Sequence, residues 1–181
     1  MVATRMMTVE AFEALPIEGR WELIDGEMVE MPGSGGRASG VAVTTAVLLG
    51  NHVRETRAGR IFGADAGFVL FSDRPIVRVP DVSFVRADRL PDLDKEPGFL
   101  RLAPDLVVEI ISPFDRAVEI AAKVEMYREA GVALIWLVDP AARTVTVIRP
   151  GDVPLSLGLG DTLSGSPVLP GFSVLVDALF E

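Results

Sequence analysis

The sequence contains no cysteine and only one histidine, His52. Without cysteine, the chain cannot build a disulfide framework, a thiolate nucleophile or a zinc site with sulfur ligands. A single histidine excludes a multi-histidine metal site, and a Ser-His-Asp triad would have to use His52 itself. Lysine is also scarce, because only Lys95 and Lys123 stand among the 17 basic residues. Each lysine therefore needs an explanation.

The formal net charge is −9, so the chain lacks the basic footprint of a protein that binds duplex nucleic acid. A nucleic-acid role would have to rest on a local patch or on bound cations. Arg54, Arg57 and Arg60 form one local basic cluster at the end of a predicted helix. Phosphate contacts and a solvated helix terminus that favours cations explain this cluster equally well.

Long apolar segments are missing too. The longest run, VALIWLV at 132–138, is far too short to span a bilayer, and the N-terminus has no apolar stretch of signal-peptide length. We therefore expect a cytoplasmic protein that does not enter a membrane. A chain of 181 residues can bury about 70% of its unfolded surface. We expect a single domain over 1–181, with an N-terminal helix and hairpin (1–40), a core (41–149) and a C-terminal extension (150–181).

Hydrophobic periodicity and turn residues predict an α/β fold. The predicted elements are a helix at 8–15 capped by Thr8, a hairpin at 20–31 that turns at Asp25-Gly26, a glycine-rich loop at 32–40, a helix at 41–56, three strands within 60–86, a surface loop at 87–104, a buried central strand at 105–111, a helix at 115–130 with Asp115 as N-cap, strands at 133–139 and 143–149, and a short strand at 172–176. The segment 105–139 has the length of a crossover between parallel strands.

Two carboxylates interrupt predicted strands. Asp81 follows Pro80 within an apolar run, and Glu109 lies in the middle of DLVVEII. A carboxylate in such a position is costly to bury unless it is paired or coordinates a cation. Asp81 by itself could equally cap backbone amides at a strand end. For Glu109 the alternative is a buried ion pair with an arginine, although its position in mid-strand favours a functional site.

Lys123 falls on the apolar side of the predicted helix. On a helical wheel it lies between Ala130 and Tyr127, opposite the charged side of the helix. We therefore expect its ammonium group to face the strand that carries Glu109 and to be matched by the carboxylates of Glu109 and Asp81. The alternative is that the side chain extends from the helix edge to solvent.

These residue types suit the hydrolysis of phosphodiesters. Two carboxylates and a main-chain carbonyl can hold Mg²⁺, which prefers oxygen ligands. The ion polarises a phosphoryl oxygen and lowers the pKa of a bound water, and a lysine can orient or deprotonate that water. A bound cation would also reconcile the acidic chain with a polyanionic substrate.

Several short motifs, in this order and spacing, resemble the Uma2 family, also called DUF820, whose members are assigned to the PD-(D/E)XK nuclease superfamily. They are RWELIDGEMVEM at 20–31, PDVSFV at 80–85, PDLVVEIISP at 104–113, KVEMYREAGV at 123–132, IWLVDP at 135–140 and LPGFSVLVDALF at 169–180. The resemblance covers nearly the whole chain.

The resemblance implies a restriction-endonuclease-like core, with a mixed β-sheet flanked by helices, and a metal-dependent endonuclease that acts on DNA. Asp81 and Glu109 would hold Mg²⁺ or Mn²⁺ together with the main-chain carbonyl of Ile110. Lys123 would position or activate the water. The E-x-K lysine position of the superfamily holds Ile111 here, and in this family the lysine is displaced to the following helix.

Two further positions follow from the resemblance. Glu22 is a possible additional acid near the metal, although a solvated hairpin residue is the favoured interpretation. Ser39 stands where the family tends to have a histidine. This difference, together with the acidic charge and Ile111, supports the alternative that the chain is a catalytically weak or inactive binding or regulatory protein with a nuclease fold. A hydrolase of another phosphate ester is a third hypothesis.

A homodimer is a further expectation, because two sites would allow both strands of a duplex to be cut. The apolar residues at the C-terminus could cover either an exposed sheet edge or a partner; they are Phe172, Val174, Val176 and Leu179.

Overall fold

A mixed six-stranded sheet and a smaller four-stranded sheet organise the protein. The computed structural model describes residues 6–16, 18–113 and 115–181. Its helices are α1 (Val9–Glu13), α2 (Gly36–Thr56) and α3 (Ala117–Glu129), with a 3₁₀ turn at Val176–Leu179. Its strands are β1 (Arg20–Ile24), β2 (Glu27–Met31), β3 (Gly59–Gly63), β4 (Phe68–Val69), β5 (Val77–Arg78), β6 (Val82–Arg86), β7 (Leu106–Ile110), β8 (Leu134–Asp139), β9 (Thr144–Ile148), β10 (Leu155–Leu157), β11 (Thr162–Ser164) and β12 (Ser173–Leu175).

The large sheet has the strand order β10-β9-β8-β7-β6-β3, and the small sheet has the order β2-β1-β5-β4. Only the pair β7 and β8 is parallel within the large sheet, and α3 connects these two strands. The predicted crossover is therefore confirmed, and so is the mixed α/β sheet flanked by helices. β11 and β12 form a separate antiparallel pair.

The two faces of the large sheet are covered differently. On one face, α2 and the C-terminal segment bury a continuous core that includes Leu49, Trp136 and Phe172. On the other face, α3 contributes a single fully buried side chain, Tyr127, to a core that contains Val107. Because α3 buries so little, an open cleft remains between this helix and the hairpin β1–β2.

The predicted N-terminal elements are confirmed. Thr8 caps α1, since its hydroxyl oxygen accepts a hydrogen bond from the amide of Ala11. The β1–β2 hairpin turns at Asp25 and Gly26, which have φ values of 49° and 80°. A two-residue hairpin turn of the I′ type requires such left-handed backbone at both positions, and the Asp-Gly pair supplies it.

Three boundaries differ from the prediction. α2 begins at Gly36 rather than at 41, so the glycine-rich loop is only four residues long. The side of α2 that carries Ala38 and Val41 packs against the large sheet, and this burial outweighs the low helix propensity of glycine. Asp115 is not the N-cap of α3, because its carboxylate accepts a hydrogen bond from the amide of Ser112 instead. The N-cap residue is Arg116, whose side chain makes no capping hydrogen bond.

The third predicted strand of 60–86 is in fact two strands in different sheets. β5 pairs with β1 and β4 in the small sheet, whereas β6 lies in the large sheet between β3 and β7. Pro80 separates them, since proline has no amide hydrogen to donate to a ladder. β10 and β11 are short, and sequence periodicity does not indicate them.

The apolar C-terminal residues pack within their own chain. Phe172, Val176 and Leu179 are buried against the large sheet, and Val174 is partly buried there. Their apolar character is thus explained without a partner, and the homodimer stays a prediction. Among the described residues, no helix combines the length and the apolar character that crossing a membrane requires.

Candidate active site

Asp81 lies where the chain enters β6, next to the end of β7. β6 and β7 are antiparallel with Val82 opposite Val108, and one further step of this register sets Asp81 opposite Glu109, on the same face of the sheet. The Oδ2 atom of Asp81 accepts the amide of Ile110 at 2.9 Å, and Oδ1 lies 3.4 Å from the guanidinium of Arg20. Asp81 therefore fixes the end of β7 and is neutralised by an arginine from β1.

Glu109 is held by two side chains from α3. Lys123 donates from Nζ to Oε2 at 3.1 Å, and Tyr127 donates from its hydroxyl to Oε1 at 2.6 Å. The two donors are four residues apart, so that they project from successive turns of the same helix face. The structure thus brings Lys123 to Glu109 but not to Asp81, for which Arg20 and the Ile110 amide are the bonded partners.

Glu22 is not a solvated hairpin residue, and that interpretation was wrong. Its side chain is completely buried; Oε2 lies 2.6 Å from the guanidinium of Arg78, and Oε1 accepts the amide of Val79 at 2.9 Å. β1 is an inner strand of the small sheet, and its pairing with β5 brings Glu22 beside Arg78 and Val79. Arg78 on β5 supplies the opposite charge that a buried carboxylate needs.

Sequence reasoning did not identify Arg78, and it left Tyr127 undecided between core and cleft. Arg78 also donates from Nε to the sulfur of Met126 on α3 at 3.3 Å, so that it joins the small sheet to the helix that carries Lys123. The available signals were an arginine inside the apolar VRVP run and the only tyrosine of the chain on the same helix face as Lys123.

Burial and neighbouring charges set the protonation of the site. Burial raises the pKa of Glu109; Lys123 opposes this effect, while Asp81 and Glu22 add to it. Burial lowers the pKa of Lys123, but the carboxylates of Glu109 and Glu22 outweigh it and leave the pKa raised. Burial, followed by the charge of Glu109, raises the pKa of Tyr127 well above 10. At neutral pH, Lys123 is therefore an ammonium group and Tyr127 a neutral hydrogen-bond donor.

A cleft of about 420 Å³ opens above these groups, between the hairpin and α3. Glu22, Arg78, Glu109, Lys123 and Tyr127 contribute to its lining. Its walls are otherwise mainly apolar, with Ile24, Val29, Met31, Pro32, Ile110, Ile111, Ile120, Val124 and Leu137, and further acids line it at Glu30, Asp115 and Glu119. Asp81 does not line this space.

The donor set suits a hard cation, although no large cluster is preformed. Among the described residues, no three acidic or histidine side chains are grouped so that they could hold a metal ion. Mg²⁺, however, is commonly bound through one or two carboxylates, with water and substrate phosphates completing its shell. Asp81 and Glu109, on neighbouring ends of β6 and β7, are two carboxylates of the type that such an ion binds.

Other predicted positions lie elsewhere. Ser39 is exposed in the first turns of α2 and does not line the cleft. The basic cluster of Arg54, Arg57 and Arg60 is also distant, because β3 runs antiparallel to β6 and begins beside Arg86, at the end of β6 far from Asp81. These arginines are therefore not part of the site.

Comparison with known proteins agrees with this architecture. The Uma2 family profile, described as "Putative restriction endonuclease", matches residues 9–177. A crystal structure of a "putative nuclease belonging to DUF820" from Anabaena variabilis ATCC 29413 superposes with a TM-score of 0.83 at 25% sequence identity, covering 96% of this chain and 97% of that chain. A search of curated proteins found no significant match. Since the family profile spans nearly the entire chain and the fold agrees, this protein belongs to the Uma2 family.

Proposed function

We propose that the chain is a Mg²⁺- or Mn²⁺-dependent endonuclease that hydrolyses phosphodiester bonds of DNA. The observation that carries this proposal is the contact between Lys123 and Glu109 at 3.1 Å, beside Asp81 and at the floor of an open cleft. One of only two lysines in the chain thus reaches a carboxylate that lies within a strand and keeps 12% of its side-chain surface exposed. Membership of a family described as "Putative restriction endonuclease" supports the same conclusion.

Asp81, Glu109 and the main-chain carbonyl of Ile110 would hold the ion. When bound, the ion would polarise a phosphoryl oxygen of the substrate and lower the pKa of a coordinated water. Asp81 is already fixed by the Ile110 amide, so the end of β7 and this carboxylate keep one relative position. Pre-positioned ligands of this kind reduce the entropy lost on reaching the reactive geometry.

Lys123 would stabilise the negative charge that develops on the phosphoryl oxygens, and it would orient the attacking water. Its ammonium group carries the charge for this role at neutral pH, because Glu109 and Glu22 raise its pKa. A protonated lysine cannot accept a proton, so charge stabilisation and orientation, rather than general-base catalysis, are the roles that we propose for Lys123.

The test is a nicking assay on supercoiled plasmid DNA with Mg²⁺ or Mn²⁺. Asp81→Asn and Glu109→Gln should abolish nicking, because each removes a carboxylate ligand and nearly preserves the shape of the side chain. The matched control is Asp92→Asn, which changes an exposed acid that pairs with Lys95 outside the site. If wild type and both site variants nick DNA equally, the activity comes from a contaminant and the proposal fails.

One observation favours an inactive binding protein: the carboxylates of Asp81 and Glu109 already accept hydrogen bonds from other groups of the chain. All four oxygens of Asp81 and Glu109 already have a donor within the chain. An ion would have to share or displace these donors. Calorimetric titration with Mn²⁺ separates the two functions, since absence of binding at millimolar concentrations favours the inactive binding or regulatory protein.

A further inference from the structure

We infer that Tyr127 is a positioning residue that fixes Oε1 of Glu109, so that Oε2, the oxygen now bound to Lys123, is the one that turns to a cation. This inference deepens the proposed function and rests on it. It assigns different tasks to the two α3 donors, although both bind the same carboxylate.

Tyr127 and Lys123 differ in burial. Tyr127 is completely buried, whereas the side chain of Lys123 keeps 19% of its surface exposed. The ring of Tyr127 is enclosed by core residues that include Val107 and Ile135. A side chain with no exposed surface and with its ring in the core has no alternative rotamer that leaves the core undisturbed, so its hydroxyl stays where it is. The flexible, partly exposed lysine can move aside.

The charge of Glu109 is disfavoured by its surroundings. Asp81 and Glu22 both repel it, and burial disfavours its charge. A buried carboxylate under repulsion needs a donor that remains in place when the surroundings change. The 2.6 Å bond from the neutral hydroxyl meets this need, while the ammonium of Lys123 would compete with a cation for the same negative charge.

The bond between Tyr127 and Glu109 is similar to the hydrogen bonds that orient ligands in known metal sites. Residues that hydrogen-bond a ligand orient it, and their removal typically lowers metal affinity or activity about 10- to 100-fold. Tyr127 and Glu109 have this relationship, because the phenol binds Oε1 and leaves Oε2 to the more exposed Lys123. The hydroxyl of Tyr127, rather than its ring, is thus the functional part of the residue.

The experiment compares Mn²⁺ binding by calorimetry in Tyr127→Phe, Lys123→Met and wild type. Tyr127→Phe removes only the hydroxyl, and we expect Mn²⁺ affinity to fall by about 10- to 100-fold. Lys123→Met removes the competitor, so affinity should be unchanged or higher. The matched control is Thr45→Val, which deletes another buried hydroxyl, bonded to Val41 within α2; its affinity should equal that of wild type.

A metal-free readout accompanies the titration. Tyr127 is the only tyrosine, and in a near-ultraviolet difference spectrum against wild type the absorption of the two tryptophans cancels. The remaining tyrosine band should show a shift in Glu109→Ala but not in Asp115→Ala. Equal Mn²⁺ affinity of Tyr127→Phe and wild type, or an unshifted band in Glu109→Ala, would overturn the inference while leaving the nuclease proposal intact. If wild type itself binds no Mn²⁺ and nicks no DNA, the proposed function fails instead, and the cation role of Tyr127 fails with it.

Discussion

The carboxylate of Glu22 and the guanidinium of Arg78 form an ion pair with 2.6 Å between Oε2 and Nη1, in which Glu22 has no exposed surface. The pair joins β1 to β5, and Arg78 extends the connection to Met126 on α3. These two residues therefore connect the hairpin on one side of the cleft to α3 on the other side.

Breaking this pair should destabilise the protein strongly. Arg78→Met leaves the Glu22 charge buried without its partner, and we expect the free energy of unfolding in urea to fall by about 3–5 kcal/mol. The control Arg128→Met breaks the exposed pair with Glu125 and should cost about 0.5 kcal/mol or less. The double variant Glu22→Gln/Arg78→Met removes both charges and should be more stable than Arg78→Met alone. Equal stability of all variants would show that the pair contributes nothing.

The two lysines should differ completely in their effect on activity. Lys123→Met removes the cation beside Glu109, and we expect the nicking rate to fall by about 100-fold or more, because loss of one charge-stabilising donor typically has this effect. Lys95→Met is the control, since Lys95 is exposed and pairs only with Asp92 in a surface loop. Rates would be measured on supercoiled plasmid with Mn²⁺ after circular dichroism has verified folding. A fully active Lys123→Met would remove the lysine from the mechanism.

A lysine introduced at position 111 should partly restore activity to Lys123→Met. Ile111 follows Glu109 by two residues and lines the same cleft. Its replacement by lysine would supply an ammonium group to this space from the strand instead of the helix. We expect Ile111→Lys/Lys123→Met to nick faster than Lys123→Met alone, whereas the control Val118→Lys/Lys123→Met, changed at an exposed helix position, should not. No difference between the two double variants would contradict this prediction.

Alkaline pH should unfold the protein as Tyr127 ionises. Its pKa in the folded state is well above 10, whereas an unfolded tyrosine titrates near 10. The folded state then holds this proton more tightly, so its contribution to stability is complete below about pH 10 and is lost as the pH rises through the folded pKa. Phenolate absorbance, which reports Tyr127 alone, should appear together with the loss of circular dichroism. Glu109→Gln should lower the apparent pKa, and ionisation near pH 10 in the folded protein would be the opposite result.

Much of the fold follows from local patterns. The β7–α3–β8 unit is predictable because an apolar run, a helical period and a second apolar run follow one another over 105–139. The hairpin is predictable because Asp25-Gly26 can adopt left-handed backbone. The third strand predicted within 60–86 was misjudged as continuous, since periodicity does not reveal that Pro80 separates two sheets.

The candidate site is predictable only in part. Asp81, Glu109 and Lys123 stand out because each charge interrupts an apolar strand or helix face. Glu22 looked solvated, because its burial depends on Arg78, which is 56 positions away, and on the pairing of β1 with β5. Strand pairing over such a separation leaves no local trace in the sequence, so the partner of a charged residue cannot be inferred from its neighbours.

The passage of the chain from the small sheet to the large sheet has a mechanical consequence. β5 of the small sheet ends at Arg78, and β6 of the large sheet begins at Val82. Asp81 lies on the short connection between these two strands. Asp81 bonds to both sheets across this connection, to Arg20 of β1 through Oδ1 and to the amide of Ile110 on β7 through Oδ2. A ligand that displaced the hairpin would therefore act first on the longer contact with Arg20, while the bond to Ile110 keeps this acid beside Glu109.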